Sequence, residues 1–298
     1  MFQKRETLTQ NIAYMGIMAA INVIFVLMTY FVPFLLFVLV FILPLTSAIV
    51  TLYCKKKYFP IYAIATTAIC FLVTINNFTD TLFYVIPAIF SGFAFGILIE
   101  KKMPVIWIIL ITTIITVGFG YAFVPLIKFI YGTDIVVSIA TLFGLKDYRY
   151  LNYVVPCVIL FISLAQSTIS YIVIKTQLPK LKIETNDEVN HYSTYLGSLV
   201  FIGLELLFVF VLPELSYLFM IGVIYFSIFV FIDFASKLHK ISLILSAVSL
   251  LIGVIVFISV YKYIKEPLSL HLINITFVLV LIIGFVDNCL PLHKHALE

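Results

Sequence analysis

The stretch ISLILSAVSLLIGVIVFISVY, residues 241–261, contains no charged side chain. A bilayer has a hydrocarbon core about 30 Å thick, which a helix crosses in roughly 20 mainly apolar residues. Runs of the same character occupy residues 12–31 and 151–174. In lipid every backbone N–H and C=O must be satisfied internally, which leaves helices or a closed barrel. Barrel strands alternate apolar and polar positions over about 10 residues. These runs do not alternate, so they read as spanning helices.

Composition points the same way. Of 298 residues, 63% are hydrophobic and 11% charged, and the mean hydropathy is +1.20. A soluble domain carries about 45–50% apolar and about 25% charged residues, so no water-facing surface can be assembled from what remains. The expected fold is all-α: a polytopic integral membrane protein of about ten transmembrane helices, at residues 8–31, 34–53, 58–75, 81–99, 105–130, 152–174, 195–212, 217–236, 241–261 and 270–288. Pro33, Pro60, Pro104 and Pro213 fall at joints, where a missing N–H costs little. Pro44, Pro87, Pro125 and Pro156 fall inside or near helix starts, where kinks or shifted boundaries are expected. The basic residues 4 and 5 precede an apolar run too long for a signal peptide, so the first helix is expected to stay in the mature protein.

Basic residues orient the chain. With the N-terminus inside, only Lys128, Lys146, Arg149, Lys262 and Lys265 of the 18 Lys and Arg fall outside. Cytoplasmic enrichment of Lys and Arg is the main orientation signal, so a multi-pass protein of the cell membrane with both termini cytoplasmic is expected. The net charge of +4 follows from this bias and does not suggest nucleic acid. The most polar internal stretch, 183–194, reads as a cytoplasmic linker between a six-helix domain (1–182) and a four-helix domain (195–298).

Enzyme signals are missing. The chain has no P-loop, HExxH, GxSxG or GxGxxG pattern. Its four cysteines, Cys54, Cys70, Cys157 and Cys289, lack CxxC spacing. Neither enzyme activity, a metal nor a cofactor is expected. Two small-residue stripes stand out instead. Ala13, Gly16 and Ala20 share one face of the first helix, with Ala19 beside them, and Ala88, Gly92 and Gly96 recur at four-residue spacing in the fourth. Small faces let helix backbones approach closely, which is how helices associate in lipid. The second stripe is expected to serve packing within the chain; the first suits either internal packing or a partner.

Glu205 lies in the middle of an apolar run. A carboxylate at that depth costs about 2.5–3.5 kcal/mol on the insertion scale. It should face the interior, be protonated, or meet a partner such as Lys128 or a hydroxyl, and structural and functional roles weigh equally. Asn76, Asn77, Asp80 and Lys128, with Asp134, Asp147, Arg149 and Asn152, form an outward polar group that suits a ligand pocket or ordinary loop ends.

A basic start followed by ETLTQNIAYMGIMAAINVIFVLMTYFVPFL (6–35), then YCKKKYFP (53–60) and VIPAIFSGFAFGILIEKKMP (85–104), resembles the substrate-binding S components of energy-coupling factor transporters. The likeness is greatest to the larger YybS-like membrane proteins of Firmicutes, and it covers roughly residues 5–182. The resemblance implies a six-helix domain that captures a small molecule from outside. It also implies a small-residue face on the first helix that docks to a membrane scaffold subunit joined to cytoplasmic ATPases. Carried over by position, Gly16 and Ala20 give Gly-xxx-Ala in place of the family's Ala-xxx-Ala. The four further helices depart from an ordinary S component. Three functions stand: a substrate-binding subunit energised by a partner ATPase module, a non-transporting scaffold, or a stand-alone proton-coupled transporter using Glu205. Membrane lipid is a partner in each.

Overall fold

The computed structural model describes residues 4–32, 34–75, 78–132, 137, 151–181, 183, 191–236, 240–260 and 268–289. Every regular element among them is helical. The long helices are α1 (Leu8–Phe31), α2 (Leu35–Tyr53), α3 (Phe59–Val73), α4 (Phe78–Glu100), α5 (Val105–Tyr131), α6 (Leu151–Gln177), α7 (His191–Val211), α8 (Pro213–Ser236), α9 (Lys240–Val260) and α10 (Leu268–Cys289). Among the described residues, seven helices are long and apolar enough to cross a membrane, and 38–53, 240–253 and 274–289 are shorter apolar stretches.

Several boundaries differ from the sequence reading, each for a local reason. Pro213 takes the first position of α8, so that helix begins four residues earlier than expected and only Leu212 separates it from α7. At a first helical position the absent N–H would have been unpaired anyway. The fourth helix starts at Phe78 through a π-helical turn, Thr81–Val85, which ends just before Pro87. Pro44, Pro125 and Pro156 lie within α2, α5 and α6. α5 stops at Gly132, whose positive φ of 66° returns its N–H to Lys128 O.

The chain divides into two compact units, residues 1–138 with 159–188, and residues 139–158 with 189–298. The expected linker, 183–194, falls largely outside the described residues. In the first unit α4 lies along α2, α1 packs on α2 and α3, and α5 covers α4. Gly92 and Gly96 set the α2–α4 approach. A Cβ on Gly92 would meet the Pro44 carbonyl and Ser47, and one on Gly96 would lie 2.5 Å from Thr51 Cβ and 2.9 Å from Ala48 O. In the second unit α7 pairs with α8, α8 with α10, and α9 with α10. There, single glycines give the same closeness: Gly222 lies under the Phe201 ring and Gly253 against Thr276.

Burial is inverted relative to a soluble protein. Large side chains such as Phe129, Phe210, Leu72 and Ile64 are exposed, while Asn11, Asn22, Thr46, Ser47, Thr51 and Thr112 are buried. Outward apolar bulk with small and hydroxylated residues inside is the arrangement that lipid favours. Three of the buried polar side chains form a network across α1, α2 and α3: Tyr62 Oη accepts from Asn22 Nδ2 at 2.9 Å, and Thr46 Oγ1 donates to Asn22 Oδ1 at 2.7 Å. At the other end of α1, Thr7 and Gln10 form a reciprocal capping box. Arg5 lies 3.5 Å over the Tyr14 ring, and Lys4 and Lys56 both reach Glu100, at 2.5 and 2.8 Å. The basic ends of α1, α2 and α4 are thereby tied together.

Candidate functional site

Two places gather groups able to do chemistry or hold a ligand, one in each unit. In the second unit the α7–α8 joint and the first turns of α10 bring four polar side chains into one chain of hydrogen bonds. Glu205 projects from α7, about two turns before its end. His271 Nδ1 lies 2.7 Å from Glu205 Oε1, and Asn274 Nδ2 donates to Glu205 Oε2. Ser216 Oγ lies 2.9 Å from His271 Nε2, and the Tyr217 ring stacks on the imidazole at 4.9 Å and 20°. Glu205 and His271 are about nine-tenths buried, with side-chain exposures of 9% and 11%. The arrangement follows from spacing: His271 and Asn274 are three apart on α10 and so share a face. Ser216 sits on the same first turn of α8 that Pro213 starts. Within its own unit Glu205 thus meets an imidazole and an amide. The imidazole can donate or accept at Nδ1 according to its tautomer, and the Asn274 amide donates to the second carboxyl oxygen.

In the first unit a cavity of about 470 Å³ opens between α2, α4, α5 and α6. That is within the roughly 300–1,000 Å³ range of small-molecule sites. Its wall is aromatic: Phe83 and Tyr84 come from the π-helical turn and Phe119 and Phe123 from α5. Phe83 meets Phe123 edge-on at 4.8 Å. Thr116, Ser163 and Gln166 supply the polar groups. A π-turn shifts the side chains after it around the helix axis, and such turns are frequent at functional sites. Here the turn puts two consecutive aromatic residues into the cavity wall.

The remaining sequence candidates separate. Ala13, Gly16 and Ala20 are exposed, and nothing lies within 4 Å of a Cβ built on Gly16; Ala19, beside them, is buried. Ala88, Gly92 and Gly96 are buried, the two glycines against α2. Asp80, at the start of α4, and Lys128, near the end of α5, lie at one end of the first unit, where Tyr131 Oη donates to Thr79 Oγ1 at 2.8 Å. Asn76 and Asn77 fall outside the described residues, as do Asp134, Asp147 and Arg149. Sequence reading missed His271, Asn274 and Ser216. The available signal was a histidine and an asparagine three residues apart inside an apolar run.

Fold and burial together define the class: this is a polytopic helical membrane protein. No protein-family model, curated protein or solved structure shows significant similarity to the chain.

Proposed function

We propose that the protein is the substrate-binding membrane subunit of a small-molecule uptake system, S-component-like in its first six helices and energised by a partner ATPase module. In this reading the chain crosses the cell membrane ten times with both termini in the cytoplasm. The basic ends of α1, α2 and α4 face inward, and the cavity lies in the outward half of the bilayer.

The observation that carries the reading is the aromatic cavity of the first unit, with the π-helical turn in its wall. Its few polar groups suit a largely apolar, ring-bearing molecule held by stacking and one or two hydrogen bonds. The open face of Ala13, Gly16 and Ala20 supports the second half of the proposal, since it is smooth enough for another helix to approach closely.

Purification from native membranes tests both halves. The parent should carry ATPase subunits, and native mass spectra should show a bound small molecule. Ser163→Phe, which fills the cavity, should lose the small molecule and keep the ATPases. Gly16→Leu should keep the small molecule and lose the ATPases, while its melting temperature stays that of the parent. A parent that purifies with neither companion would sink the proposal.

A further inference from the structure

A polar cavity of about 490 Å³ lies at the basic end of the first unit, beside the start of α1. Lys4, Arg5, Glu6, Thr7, Gln10 and Tyr53 line it. Arg5, half-buried, is the fixed point of the wall. Its N–H donates to Tyr53 O at 3.0 Å, and its carbonyl accepts from Asn11 Nδ2 at 3.0 Å. Its guanidinium lies 3.5 Å from the centre of the Tyr14 ring and 5.3 Å from that of Tyr53. Stacking over aromatic faces occupies the flat side of the group and leaves its N–H edge for an acceptor. Among the described residues no carboxylate takes that edge, and Glu100, at the same end, is held by Lys4 and Lys56.

We propose that this cavity is the headgroup site of one anionic phospholipid, with Arg5 as the fork that grips its phosphate. A planar guanidinium matches two phosphate oxygens at once, and charge-assisted pairs of this kind are the strong ones. Lys4 adds a second cation to the wall, and Thr7 and Gln10 supply groups for the polar part of the headgroup. The field around the cavity favours an anion. Residues 4, 5, 55–57, 101 and 102, gathered at this end, are all Lys or Arg, against Glu6 and Glu100. Glu6 is exposed, so water screens its charge. A zwitterionic lipid would bring its own cation into this field, which selects against it.

Position argues for a lipid over a soluble anion. The first apolar span begins at Leu8, within the stretch that lines the cavity, so the cavity sits where α1 enters the hydrocarbon and headgroups lie. Seven and fourteen residues beyond Gln10, Ile17 and Ile24 fall on the same face of α1, and both are more than half exposed. Seven residues make about two turns, so an acyl chain hanging from a phosphate at Arg5 has an apolar track to lie along. Lys182, Glu184, Asp187 and Glu188 fall outside the described residues. The site depends on membrane embedding and not on the uptake reading, so either proposal can fail alone.

The test is native mass spectrometry of the full chain, released from micelles that hold phosphatidylglycerol and phosphatidylcholine of matched acyl chains in equal amounts. The parent should retain one phosphatidylglycerol in preference. Arg5→Gln should lower that retention about tenfold or more, the loss expected for a hydrogen-bonded charge pair. Arg5→Lys keeps the charge but not the fork, so its retention should fall between the two at the parent's melting temperature. It carries the test should the Gln variant not fold. Lys57→Gln removes the same charge from the same end but outside the cavity, where the ammonium sits over the Tyr58 ring, and it should retain lipid like the parent. Equal retention of the two lipids, an Arg5→Lys variant that binds like the parent, or a Lys57→Gln loss equal to that of Arg5→Gln would each overturn the assignment. So would displacement of the lipid by inorganic phosphate, which would give the cavity to a soluble anion.

Discussion

Glu205 shows how one residue sets the chemistry of its surroundings. The Asn274 amide and the His271 imidazole converge on it, and removing the carboxyl group strands both in an apolar interior. Each stranded buried polar group costs about 1–3 kcal/mol, though hydrogen bonds inside membranes are worth about 0.6–2 kcal/mol. Glu205→Leu should therefore lower stability by about 2–4 kcal/mol, measured by reversible detergent-induced unfolding. Glu205→Gln keeps hydrogen-bonding groups in reach of His271 and Asn274 and should stay within about 1 kcal/mol of the parent. Equal losses in the two variants would mean that charge, and not hydrogen bonding, holds the cluster. That the residue mattered was legible in the sequence, because a lone acid in an apolar run is conspicuous. Its partners were not legible, since Ser216 and His271 are brought to it from 11 and 66 positions away by the pairing of α7, α8 and α10.

Helix pairing rests on where side chains are missing. Gly92 and Gly96 sit against the backbone of α2, which cannot yield as a flexible side chain would. A Cβ on Gly16 would meet open space. Gly92→Ala and Gly96→Ala should each destabilise the protein by about 1–3 kcal/mol through overpacking. Gly16→Ala should be neutral or stabilising by up to about 1 kcal/mol, since alanine is the better helix former. Parallel thermal melts of the three variants check this, and a Gly16→Ala loss as large as the others would show that its face is occupied within the chain. Sequence spacing marked both stripes as small faces, yet only the packed structure separates the one that meets α2 from the one left open. The isolated glycines Gly222 and Gly253 make contacts as close, but without a repeat they leave no pattern to read.

For the whole molecule, orientation is the question that the basic residues address. A cysteine at Thr185 should react with impermeant maleimide only after lysis, and one at Thr133 should react in intact cells. Reaction of both on the same side would overturn the assigned topology, whose support is the Lys and Arg imbalance. Cys289 is exposed and must first be replaced by serine; Cys54 and Cys70 are buried. Burial also pushes the Cys54 thiol up, against a smaller opposing pull from Arg5, so it should stay silent in the assay.

The sequence alone determined that this chain is helical and membrane-embedded, because the cost of unpaired backbone in lipid leaves few forms for long apolar runs. It placed most helix ends within a few residues, since prolines and clustered lysines mark where the chain leaves the apolar phase. Tertiary structure decided which polar groups meet. The π-helical turn that turns Phe83 and Tyr84 into the cavity, the Asn22–Tyr62–Thr46 network, and the Glu205–His271–Ser216 chain each join residues from different helices. An apolar run fixes that a helix forms; its rotation about its own axis is fixed only by the neighbours it packs against.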